Sequence, residues 1–259
     1  MPEAPILTSK NGRIGTITLN RPEAMNTFTI PFANQLDEAL WDMENDPEIR
    51  VILIKANGKN FSTGISLDQF DHKSQQAYRD FLYQIDAFYH TLAKMKTLTI
   101  SVVQGYALAN GAGLAFATDM TIATQSAVFG TTAINVGLIC LGPAAPMMRI
   151  LGYKKTLEMV LTGDMISAQQ ACDLGLINQV VEDGEIDEMV EKLVGKMLKK
   201  SPLALTIGKE GLNRLSEASC YDQGLNTMDD LFATLCATED AVEGVSAFIG
   251  KRAPQWKEK

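Results

Sequence analysis

Hydrophobic positions change their period several times along the chain. The segment RIGTITL, 13–19, alternates apolar and polar positions and is rich in β-branched residues, which predicts a strand. Asn20-Arg21-Pro22 ends it. Thr29 stands where it can cap a helix, and Pro31 falls in the first turn, where its missing N–H costs nothing. That helix runs to about Glu44, short of Asp46-Pro47. VILIKA, 51–56, is an unbroken apolar run, the mark of a strand covered on both faces. A loop with Gly58 and Gly64 follows. Over 74–96, Phe81, Ile85, Phe88 and Leu92 recur at helical spacing, which predicts one long helix. A strand is expected over 99–103, then a glycine-rich bend over 105–113 into a short helix, then short strands at 120–124 and 127–129. From Pro143 the pattern is mainly helical. Ser167 with Gln170 forms a capping box, 177–181 reads as a last short strand, and Ser201-Pro202 opens another helix. Strands and helices therefore alternate first, and helices close the chain. The expectation is an α/β core, 1–200, followed by a helical C-terminal module, 201–259.

Composition narrows the chemistry. At 259 residues the chain is one large domain or two small ones, and 46% hydrophobic with 21% charged residues excludes a disordered or collagenous chain. The formal charge of −8 leaves no broad basic surface to displace counterions from phosphates, so no nucleic-acid partner is expected. Two His cannot build a three-histidine zinc site, and Cys140, Cys172, Cys220 and Cys236 contain no C-x-x-C pair, so no metal site is expected. The cysteines read as reduced, mostly buried thiols. The opening residues MPEAPILTSKNGRIGTI lack the basic-then-apolar order of a secretory signal. The most apolar stretch, 100–118, is interrupted by Gln104, Asn110 and three Gly, too broken for a membrane span. A soluble, cytoplasmic protein is the expectation.

Two loops can carry chemistry. NFSTGISLD, 60–68, places a central Gly after a buried strand, and GYALANGAG, 105–113, is again strand, glycine turn, helix. Such turns can present main-chain N–H groups to a ligand, and helix N-termini leave theirs unpaired. Either loop alone is also an ordinary tight turn. Together they suggest a two-donor oxyanion hole that polarises a carbonyl.

With those loops in view, the chain resembles the crotonase superfamily, the enoyl-CoA hydratase/isomerase group. The resemblance lies in LNRPEAMN (19–26), VILIKANGKNFSTG (51–64), QGYALANGAGLAFATD (104–119), FGTTAINVGLI (129–139) and LTGDMISAQQACDLGLINQVV (161–181), and spans nearly the whole chain. It implies a crotonase (ClpP-like) spiral of repeated ββα units, a helical C-terminal trimerisation module, and a homotrimer or homohexamer. It implies an acyl-CoA thioester as ligand, with no cofactor besides the coenzyme A that the substrate carries. The thioester oxygen would be held by the N–H groups of Ile65 and Asn110. The substrate would lie against Arg21, Ala24, Met25, Thr63, Gly64, Ser66, Leu67, Gly111, Gly113, Ala133, Cys140 and Leu141. Asn110 stands where a glycine is usual, and Ser66 where Asp or Asn is usual.

The departures concern proton transfer. The family's two hydratase glutamates fall on Gly113 and Ala133, and an aspartate that other members carry falls on Leu141. None of these can give or take a proton. NVGLICLGP, 135–143, is similar to the branch containing enoyl-CoA hydratase domain-containing protein 3, which also departs from the two-glutamate pattern. Candidate replacements are Cys140, Asp71 with His72, and Tyr78, Tyr83 or Tyr89, although each reads first as a packed or solvated side chain. Asp119 reads as structural, and Arg21 and Lys55 as contacts for CoA phosphates or as solvated charges. The expected function is an acyl-CoA-binding enzyme acting through a thioester enolate in a cavity without carboxylates. An acyl-CoA decarboxylase or another lyase of this fold, and a non-catalytic acyl-CoA scaffold, are the alternatives.

Overall fold

A computed structural model describes residues 4–71 and 74–259. Strand β1, Ile6–Asn11, pairs antiparallel with β2, Ile14–Leu19. β1 shows no hydrophobic period, because only Ile6 of it is buried, so backbone pairing rather than alternation makes it a strand. β2 pairs in parallel with β3, Val51–Ala56, across helix α1, Ile30–Asn45. Thr29 caps α1 as expected, and Phe32, Ala33, Leu36, Leu40 and Met43 form its buried face. Helices α2, Gln75–Ile85, and α3, Ala87–Lys94, replace the single expected helix. The apolar period runs through both, but the backbone breaks at Asp86 (φ −95°, ψ 5°).

The chain then alternates through β4, Leu98–Val103, β5, Tyr106–Leu108, and α4, Asn110–Ala117. β6, Met120–Thr124, and β7, Val128–Gly130, follow, then α5, Leu141–Thr162. β8, Met165–Ser167, α6, Ala168–Asp173, and β9, Gln179–Val181, complete the strands. Ser167 and Gln170 make the reciprocal capping box. Among the described residues one sheet runs β1-β2-β3-β4-β6-β9 and a smaller one β5-β7-β8. β3 is buried along nearly its whole length, as its unbroken apolar run requires. Phe28, Phe32, Phe61, Phe88 and Phe129 are its largest fully buried companions in the core.

Two compact units result, one of Met1–Met95 with Thr99–Val190, the other of Lys96–Leu98 with Glu191–Lys259. Helix α7, Ile186–Met197, bridges the dividing point in sequence. The second unit carries α8, Pro202–Glu217, α9, Tyr221–Cys236, and α10, Glu239–Ile249. Asp240 ties it together, accepting from Ser201 Oγ at 2.6 Å and from the Lys257 and Glu258 N–H groups at 2.6 and 2.9 Å. The Lys209 ammonium, also buried, donates to the Thr97 carbonyl at 2.8 Å.

In the first unit Asn26 locks the turn after β2. It is fully buried in the left-handed region (φ 53°), which Asn tolerates better than most residues. Its Oδ1 accepts from Arg21 N at 2.7 Å, and its Nδ2 donates to the Asn57 and Asn60 carbonyls at 3.0 and 2.9 Å. Asn26→Ala would strand three backbone groups, so urea melts are expected to show a loss of more than about 2 kcal/mol. A loss below about 0.5 kcal/mol would mean that water replaces those bonds.

Candidate active site

The site grows from a close crossing of two backbones. Residues 62–66 are clamped on two sides. Ser62 N donates to Tyr106 O at 3.0 Å and Leu108 N to Ser62 O at 2.9 Å. Phe28 N donates to Gly64 O at 2.8 Å and Ser66 N to Phe28 O at 2.9 Å. Gly64 (φ +94°) sits at the crossing, where a Cβ would lie 2.6 Å from Ala109 Cβ and 3.4 Å from Asn110 N. Only a glycine lets the two chains meet there. On the facing side Ala109 holds φ 47°, ψ −122°, a conformation that L-residues rarely adopt, and its N–H is anchored on Gly130 O at 2.8 Å. Helix α4 starts on the next residue. Among the described residues, neither Ile65 nor Asn110 donates its main-chain N–H to any acceptor. Two unspent donors on adjoining segments can hold a carbonyl oxygen or an anion.

Both residues line a cavity of about 910 Å³ in the first unit. Ala24, Met25, Thr63, Ser66, Leu67, Ala133, Cys140 and Leu141 share its wall. Arg21, Gly64, Gly111 and Gly113 do not. Arg21 Nη1 donates to the Thr27 carbonyl at 2.8 Å. Gly111 serves packing, since a Cβ there would meet Ser62 O at 2.2 Å. Lys55 pairs with Asp187 at 2.6 Å, and Asp119 accepts from Thr99 N and Oγ1 at 2.8 Å each, a structural tie. Tyr83 is exposed, and His72 lies outside the described residues. Cys140 faces the cavity, but burial pushes its thiol pKa up, away from the thiolate that a nucleophile needs.

The wall also contains Asp86, so the expectation of a cavity without carboxylates is corrected. Asp86 occupies the N-cap position of α3 yet makes no capping bond. Its Oδ1 instead accepts from Asn110 Nδ2 at 2.8 Å. Burial raises its carboxyl above the usual range, while the Asn110 amide and His90 pull the other way. A carboxylate inside an apparently continuous amphipathic helix gives no signal in the sequence. The one legible clue is Asn110, a polar side chain opening an otherwise small and apolar helix.

Comparison with known proteins identifies the chain. Residues 9–259 match the enoyl-CoA hydratase/isomerase family. The chain belongs to that family. It is 35% identical over 254 residues to the 2,3-dehydroadipyl-CoA hydratase of Escherichia coli, covering 97% of this chain and 98% of the relative. The crystal structure of an enoyl-CoA hydratase from Mycobacterium smegmatis superposes with a TM-score of 0.94 at 32% identity, covering 98% and 99% of the two chains. That of human enoyl-CoA hydratase domain-containing protein 3 gives 0.92 at 27%, covering 97% and 100%. The fold is the crotonase fold with a helical C-terminal region.

In this family member the room beside Gly113 is already taken. A Cβ on Gly113 would sit 1.7 Å from the Tyr89 hydroxyl and 3.1 Å from Pro143 Cα. The Tyr89 ring therefore fills the space where a side chain at 113 would project. Among the described residues its buried hydroxyl has no hydrogen-bond partner, and burial first, then the nearby Asp86 and Cys140, drive its pKa well up. It is not part of the cavity wall.

Two outcomes follow from these contacts. Gly113→Ala should destabilise by about 1–3 kcal/mol through overpacking, and Tyr89→Phe in that background should recover part of it. Additive effects in denaturant melts would mean that the ring moves aside freely. Asp86→Asn keeps an acceptor for Asn110 and removes a buried charge. Because burial raises the Asp86 pKa, folding opposes its ionisation. The penalty is absent below the unfolded value of about 3.9 and complete above the raised folded value. Asp86→Asn should thus raise Tm by on the order of 2 °C near about pH 8 and leave it unchanged near about pH 4. An equal shift at both pH values would show that ionisation is not the cause.

Proposed function

We propose that this chain processes acyl-CoA thioesters through an enolate held by the Ile65 and Asn110 N–H groups. The observation that carries the reading is the pair of unspent donors brought together at Gly64, on the edge of a cavity of about 910 Å³. The donors would hold the thioester oxygen while negative charge builds on it, which is where fixed dipoles lower a barrier most. Membership of a family whose named relatives include a CoA-thioester hydratase supports the choice of substrate. Ala24, Met25, Ser66 and Leu67 would line the path of the CoA arm, and Ala133, Cys140 and Leu141 would face the acyl group.

Gly113, Ala133 and Leu141 stand where the resemblance expects acids, so two-glutamate hydration is not open to this cavity. The helical unit, 191–259, would carry self-association as a trimer or a dimer of trimers, since Phe248 and Ile249 are 85% and 75% exposed.

The test is α-proton exchange of a saturated acyl-CoA in D2O, read by mass spectrometry. Wild-type protein should exchange the α-hydrogens, and Ile65→Pro, which removes one donor, should lower the rate by about 100–1,000-fold. Hydration of crotonyl-CoA should run at least about 100-fold slower than in a two-carboxylate enzyme. Exchange unaffected by Ile65→Pro would remove the oxyanion hole from the reading.

A further inference from the structure

The α2–α3 junction delivers side chains to the places where acids are missing. Tyr89 fills the space beside Gly113 on α4, and Asp86 stands over Gly142 at the start of α5, where a Cβ would lie 3.2 Å from each carboxylate oxygen. Gly142 directly follows Leu141, one of the vacant acid positions. Asp86 is thus a carboxyl that reaches the same corner of the cavity from a different helix pair.

Its carboxylate is also uncommitted. It caps no helix and forms no ion pair among the described residues, and the hydrogen bond to it comes from Asn110. A partly buried acid held by one neutral donor is poor design for stability and good design for moving a proton. Asn110 links it to the oxyanion hole, because the residue whose main-chain N–H is free also aims its side-chain amide at Asp86. One residue therefore sets the distance between the held oxygen and the carboxyl.

We propose that Asp86 is the proton-transferring carboxyl of this site and that Asn110 is its positioning residue. This rests on the enolate reading above. Asp86 takes a proton from the α-carbon of a 3-enoyl thioester; the C–H pair passes into the thioester, and the oxygen charge falls on the Ile65 and Asn110 N–H groups. The neutral Asp86 then returns the proton to the γ-carbon, and the double bond closes between the α- and β-carbons. No water is consumed and Asp86 ends ionised. A single carboxyl suffices for such a shift, so the substrate class is a 3-enoyl-CoA thioester. The titratable groups facing Asp86 are His90 and Tyr89 on α3, with Cys140 beyond Tyr89.

The probe is 3-hexenoyl-CoA, with formation of the 2-enoyl thioester followed by absorbance and hexanoyl-CoA affinity measured in parallel. Asp86→Asn should lower the isomerisation rate by about 100–10,000-fold and change affinity by less than about threefold. Asp86→Ala should lose the rate similarly and regain part of it with added formate. Asn110→Ala keeps its N–H but loses the amide. It should slow the shift less and move the pH midpoint of the rate upward, because a donor that favours the ionised carboxyl is gone. An Asp86→Asn protein as fast as wild type in both α-exchange and isomerisation overturns the role of Asp86 and leaves the enolate reading standing. A wild-type protein that binds hexanoyl-CoA but exchanges no α-proton overturns both.

Discussion

Two main-chain N–H groups can converge on one atom only if nothing stands between the chains that carry them. In this protein that constraint is met at Gly64, whose absent side chain lets the 62–66 segment touch Ala109 and Asn110. The surrounding structure serves that contact. Ser62 pairs with the chain around Ala107, Phe28 pairs with the chain around Ile65, and Asn26 accepts Ser62 Oγ on its carbonyl at 2.8 Å. The LNRPEAMN segment, which no catalytic argument explains, then has a physical reason to be as it is. Its last residue is the polar plug that holds the floor of the loop.

The corner of the cavity beside this contact is built against stability. Ala109 carries a backbone conformation that favours glycine, Tyr89 buries an unpaired hydroxyl, and Asp86 is a partly buried acid that caps nothing. A strained backbone such as that of Ala109 and an orphaned buried hydroxyl such as that of Tyr89 each cost on the order of 1–3 kcal/mol. Strain gathered at one end of one cavity, in a unit otherwise packed with fully buried phenylalanines, is the distribution expected where a protein trades stability for chemistry. With Gly113 and Gly142 leaving room, side chains from the α2–α3 junction enter the space that α4 and α5 would otherwise fill.

Much of the architecture is written in local sequence. The buried run 51–56, the Thr29 cap with Pro31, the Ser167–Gln170 box and the Ser201-Pro202 start each depend on neighbours within a few residues, and each takes the expected form. The glycine turns at 60–68 and 105–113 are legible for the same reason. β1 is not, because a polar edge strand is held by its partner's backbone and shows no period of its own.

The sequence by itself determined the family, the two turns and the absence of acids at 113, 133 and 141. The tertiary structure alone decided that 74–96 is two helices and that Asp86 faces the cavity. The reason is that apolar spacing describes only the face a helix turns to the core. A break that keeps Phe81, Ile85, Phe88 and Leu92 buried leaves that spacing intact. The carboxylate's direction is set by a hydrogen bond to a residue 24 positions later, a contact that exists only once the sheet has brought α4 alongside.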